Sequence, residues 1–184
     1  MAYYALVASL PHLKIGDEAP FSTEVYVSQC AQWVTEHETR ILEHILLGKY
    51  LGHGGGCPIC KTWFDIETQL KNAVARHRGQ RLGIDYKAYL QPHDGFSGEI
   101  EQLVTDAFTR NDPLEIEEEI DRARWQLAEE LIGQDPFSFL KVLAYGIQLK
   151  IVERWNSMDV HVGKEKLEAV ITANTEKKET ANTN

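Results

Sequence analysis

The chain has 184 residues, 43% of them hydrophobic and 26% charged, with a formal net charge of -9. That length and apolar content support one domain with a real core, or a domain with a small appendage. The acidic balance excludes a general nucleic-acid binder, which needs cations to neutralise phosphates, and argues equally against an anionic membrane surface as primary partner.

The opening Met1 to Leu10 is apolar but has no basic leader, and Pro11 cuts it short, so a signal peptide is not expected. Its period does not decide between a strand and a short buried helix. No apolar run approaches the roughly 20 residues that span a bilayer, so direct membrane insertion is not expected and the cytoplasm is the default location. Residues 11–20 read as loop, with turn material at Gly16-Asp17.

Ser22 is an N-cap candidate for a helix over 23–36, whose stripe Val25, Val27, Cys30, Ala31 and Val34 recurs at helical spacing. A second helix is expected over 38–50, with Ile41, Leu42, Ile45, Leu46 and Tyr50 on one side. Gly52 to Pro58 breaks the pattern, and Pro58 suits the first turn of a new helix. That helix, over 59–81, carries Trp63, Ile66, Leu70, Ala73, Val74 and His77 on one face. Residues 83–95 read as a linker, and 97–110 as a helix bearing Ile100, Leu103, Val104, Ala107 and Phe108.

Asp112-Pro113 is a cap-plus-proline entry to a long helix that stops near Ile132, before Gly133. Asp135-Pro136 repeats the entry for a helix reaching Met158, so the two are expected to form an antiparallel hairpin. Residues 163–173 form a short final helix or strand. The whole reads as an all-α helical bundle with long antiparallel helices and at most a minor N-terminal strand. The expected organisation is an N-terminal helical lobe over 1–52, a Gly/Cys loop over 53–60, a long-helix body over 61–173 and a polar, disordered tail over 174–184.

The loop His53-Gly54-Gly55-Gly56-Cys57-Pro58-Ile59-Cys60 is where metal or redox chemistry would gather. Cys57 and Cys60 are spaced to point at one metal from a helix start. His53 could supply a third ligand, and Cys30 or His44 a fourth, with zinc the candidate cofactor. A single ligand pair falls short of a full zinc signature. The alternatives are a dithiol redox site, which lacks its usual β-α-β scaffold, and ordinary thiols.

The acidic run Glu115, Glu117, Glu118, Glu119 and Asp121 lacks the Glu-x-x-His partners of di-iron bundles. It reads as favourable charge at a helix start and a solvated face. Arg76, Arg122, Arg124 and Arg154 are placed to pair across helices with Glu67 or Glu129, or else to dock an acidic partner. No phosphate-binding loop, dinucleotide fingerprint or serine elbow is present, and His93 and His161 read as isolated surface histidines.

Several stretches, in order, carry a resemblance. They are Tyr3-Tyr4-Ala5-Leu6-Val7-Ala8-Ser9-Leu10-Pro11, Pro20-Phe21-Ser22 leading to Cys30, and Trp63 through Glu67 to Leu70-Lys71-Asn72-Ala73-Val74-Ala75-Arg76. Asp112-Pro113-Leu114-Glu115, Ile120-Asp121-Arg122-Ala123-Arg124-Trp125, and Leu143-Ala144-Tyr145 through Leu149-Lys150 to Glu153-Arg154-Trp155 follow. Together they resemble an uncharacterised bacterial family encoded beside V/A-type ATPase subunits. The resemblance implies an accessory role akin to the all-helical C subunit of the central stalk (d in eukaryotes), which couples the rotor shaft to the membrane ring. The expected partners are then ATPase stalk or ring subunits, with no active site. Glu67, Asn72, Arg76, Arg122, Arg124, Trp125, Glu153 and Arg154 are expected to pair and pack the helices. A zinc- or thiol-dependent regulatory protein and an interaction module unconnected with the ATPase are the alternatives.

Overall fold

The computed structural model describes residues 3–49 and 57–158. Within them the regular structure is all α-helical, with one 3-10 turn and no strand. His53, the triglycine, Tyr50, His161, the 163–173 element and the 174–184 tail all lie outside the described residues.

Caps set the helix boundaries. The N-terminal segment resolves as a helix, α1 (Tyr4–Ser9). Ser22 Oγ accepts from Val25 N and opens α2 (Thr23–Cys30). This helix is shorter than the expected 23–36 because Thr35 starts a new one. Thr35 Oγ1 accepts from Glu38 N, while Glu38 Oε2 accepts from Thr35 N at 2.8 Å, a reciprocal capping box that opens α3 (Glu36–Leu47).

Cys57 caps α4 (Pro58–Leu82), with Pro58 at its first position and the left-handed Gly83 at its end. After a 3-10 turn at Lys87–Tyr89 come α5 (Gly98–Ala107) and α6 (Pro113–Glu130), the latter capped by Asp112. The last described helix, α7, spans Phe139–Asn156. Its entry corrects the expectation at Asp135-Pro136. The Asp135 carboxylate accepts from Phe137 N at 2.9 Å and closes a local turn, and Ser138 takes the cap position without a side-chain bond.

α7 buries residues on every side, from Phe139 through the run Val142 to Leu149 and on to Val152. A helix apolar all round must sit inside the bundle. α2 and α3 pack on it on one side and α6 on another, while α5 joins α6 to α4. Buried side chains from Tyr3 to Val152 form one core. The early helices of the expected N-terminal lobe therefore share α7 with the long helices. Close approach requires a glycine: a Cβ on Gly146 would lie 2.5 Å from Leu46 Cδ1 and 2.9 Å from Tyr26 Cε1.

Side-chain pairings give the helix directions. Asp121 meets Arg154 and Gln148 meets Glu129, so α6 and α7 run antiparallel, as the expected hairpin requires. Gln69 and Arg76 both reach Glu101, and Arg81 reaches Phe108, so α4 and α5 run parallel. Parallel neighbours need a connection that returns along the first helix. Residues 84–97 do this, and α4 side chains satisfy their backbone. Asn72 donates to Gln91 O at 2.7 Å and accepts from Gln91 N at 2.9 Å. Gln69 makes the same pair with Ser97, at 2.7 and 2.9 Å, and Asp65 accepts from Asp94 N.

Candidate functional site

The densest charged cluster lies where α4, α6 and α7 meet. Asp121 is only 1% exposed. One of its oxygens accepts from Arg124 Nη1 at 2.7 Å, and the other from Trp155 Nε1 at 2.8 Å and from Arg154. Arg124 Nε donates in turn to Glu67 Oε1 at 2.9 Å, and Lys71 stands 3.6 Å from the other Glu67 oxygen. Burial opposes the Arg124 charge, but Glu67 and Asp121 more than offset it and hold the guanidinium above its ordinary value.

Of the arginines expected to pair with Glu67 or Glu129, Arg124 reaches Glu67, whereas Arg154 goes to Asp121 and Glu129 accepts from Trp125 and Gln148 instead. Asp121 corrects the reading of the acidic run as a solvated face. On α6, Glu115, Glu118 and Glu119 point away, while Glu117, Asp121 and Arg124 share the side turned to α4 and α7. The available signal was a carboxylate three residues before Arg124 beside the buried stripe Ile116, Ile120, Ala123 and Leu127. The network borders a cavity of about 260 Å³ walled by Ile45, Trp63, Ile147 and Ile151.

The remaining expected residues do separate work. Arg76 clamps Glu101 on α5, with oxygens at 2.5 and 2.6 Å. Burial pushes Glu101 up, but bonds from Arg76 and Gln69 outweigh it and hold the carboxyl below its ordinary value. Asn72 holds the return loop. Glu153 accepts from the Thr23 backbone and hydroxyl, at 3.1 and 2.6 Å, tying the start of α2 to α7. Trp125 packs against the core and donates to Glu129. Arg122 stays on the surface of α6, paired with Glu118 one turn away, and among the described residues it makes no ion pair to another helix.

Of the expected ligands, His53 lies outside the described residues, and Cys30 does not join Cys57 and Cys60. Among the described residues no three His, Cys, Asp or Glu side chains converge to hold a metal. Cys57 and Cys60 are buried at the start of α4, where Cys57 Sγ accepts from Cys60 N at 3.1 Å. Cys30 sits apart, beside Tyr26 and Tyr145 in the core, because it falls on the α2 stripe that packs on α7. His44 packs edge-on to Phe64, and its Nδ1 lies 2.7 Å from Lys49 O. Burial, then Cys57 beside it, pushes Cys60 up to about 12, and burial raises Cys30 to about 11. Both stay protonated near neutral pH, which suits neither a nucleophile nor an exchanging thiolate.

No curated protein and no solved structure matches the chain. Residues 98–178 match the sequence model of a family described as a protein of unknown function, DUF2764, a span that takes in α5, α6 and α7 with Asp121, Arg124 and Arg154.

Proposed function

We propose that the chain is a non-enzymatic helical adaptor of a V/A-type rotary ATPase, docking between the central stalk and the membrane ring. The observation that supports this reading is the ionic network. Glu67, Asp121, Arg124 and Arg154 all fall in the stretches that carry the resemblance, and they join three helices at one point. A coupling element must transmit force without its helices sliding, and a buried, geometrically specific ion network opposes sliding more than apolar packing does. No described helix is long and apolar enough to cross a membrane, so such an adaptor would reach the membrane through its partners. Among the described residues, the zinc- or thiol-dependent alternative rests on the Cys57–Cys60 pair at the start of α4.

Affinity capture of the tagged full chain from its native host, with the ATPase kept intact, tests the reading. Stalk or ring subunits should co-purify in near-stoichiometric amounts. Recovery of the tagged chain without any stalk or ring subunit, under conditions that keep the ATPase intact, would overturn it.

A further inference from the structure

We infer that the C-terminal end of α4 and its return loop form a docking groove for an acidic amphipathic helix of a partner protein. The inference deepens the adaptor reading by naming the face that docks. The groove encloses about 440 Å³ between α4, the 3-10 turn and α6. Its rim exposes large apolar side chains: Leu82 is 71% exposed, Tyr89 66% and Ile84 51%. Leu82 also borders a second depression beside Phe108 and Ile116, so the apolar surface continues across its side chain. Contiguous apolar surface of this kind marks interaction sites, whereas single exposed residues do not.

The groove is built into the backbone. A Cβ on Gly79 would stand 2.6 Å from Tyr86 Cβ, so only glycine lets the loop close this tightly on α4. The amide pairs at Gln69 and Asn72 then fix the returning chain.

Charge selects the occupant. The two depressions are bordered by Lys71, Arg78, Arg81 and Arg124 against one carboxylate, Glu117, in a chain whose net charge is -9. Arg78 pairs with Glu117 and Lys71 with Glu67, both on the exposed side, and Arg124 is spent on Glu67 and Asp121. Arg81 donates to the carbonyls of Phe108 and Arg110 and has no carboxylate within ion-pair reach among the described residues. A basic rim around an apolar floor fits a helix with one apolar face flanked by carboxylates. The chain's own residues 164–179 suit it poorly, since their four lysines balance four glutamates.

The test places the photocrosslinker p-benzoylphenylalanine at Leu82 or Tyr89 of the full chain in its native host, with Trp33 as an exposed control on α2's side. The products are mapped by mass spectrometry. Crosslinks from both groove positions to one acidic, apolar-striped helix of another protein are expected. Their yield should fall by about tenfold in the Arg78→Glu/Arg81→Glu double variant and hold in Arg78→Lys/Arg81→Lys. Leu82→Ser, at an exposed position that leaves the core intact, should lower the yield from Tyr89 as well. Crosslinks to a second copy, to residues 159–184, to lipid or to a segment without carboxylates would overturn the inference, as would no product above the Trp33 control. An acidic helix from a protein outside the ATPase keeps the groove and ends the stalk reading. Capture of stalk subunits without crosslinks does the reverse.

Discussion

Burying a carboxylate costs several kcal/mol unless both its oxygens are engaged. At Asp121 they are, by two arginines and an indole. Replacing the charge leaves Arg124 with Glu67 alone and Arg154 without a partner at its buried end. Asp121→Asn keeps the shape and one acceptor for Trp155 but removes the compensation. We expect a loss of about 3–5 kcal/mol, read as a fall of roughly 10 °C or more in the thermal midpoint. A loss below about 1 kcal/mol would show that the arginines find solvent instead of the network. Part of this cluster was legible in the sequence, since Glu67 and Arg124 sit on long helices in positions that allow pairing. Asp121 was not, because neighbouring carboxylates on one helix look alike until a second helix covers one side. Cys30 was illegible for a different reason. Cysteine spacing suggests a shared metal, but Cys30 belongs to an apolar stripe, and its packing on α7 decides where it points.

Helix ends were mostly readable because capping is local: Ser22, Pro58, Gly83, Asp112 and Gly133 act within a few residues of themselves. The Thr35–Glu38 box is equally local, yet the apolar stripe through Val34 masked it. The return loop was illegible, since its backbone partners Gln69 and Asn72 lie on another element and no periodicity marks them. The crossing of α7 with α2 and α3 belongs to the same class, being set by the absence of a side chain at Gly146. Gly146→Ala gains about 1 kcal/mol of helix propensity. Against that, the methyl must displace Leu46 and Tyr26, both buried, and Tyr26 Oη is held by a 2.6 Å bond to Val142 O. Overpacking of this kind costs about 1–3 kcal/mol, so the crowding should win and denaturant melts should show net destabilisation. A more stable variant would mean that α3 slides freely on α7.

At the scale of the whole molecule, the ionised groups that fasten one helix to another set how stability responds to acid. Burial pushes Glu38 up, but bonds from Thr35 and Tyr3 outweigh it and leave it below its ordinary value, at the junction of α1 and α3. Glu101 is held low in the same sense between α4 and α5. His77 on the same seam is also lowered, by burial first and then by the Arg76 charge. A group with a depressed folded value binds fewer protons in the folded chain than in the unfolded one. Its contribution is therefore present above its unfolded value and lost as pH falls through the folded one. His77 begins this loss below the ordinary histidine range, and the carboxylates continue it below theirs. An opposing effect comes from the net charge of -9, because early protonation relieves self-repulsion. Repulsion among exposed charges is screened by salt, whereas the half-buried clamps are screened much less. In moderate salt the clamps should dominate, so urea melts should show a steep loss of stability from about pH 5 to pH 3. Glu101→Gln removes one titrating clamp. It should be less stable than the parent at neutral pH and show a shallower slope across that acid window, so that the two curves converge as pH falls. Parallel curves would mean that Arg76 and Glu101 contribute nothing to the seam between α4 and α5.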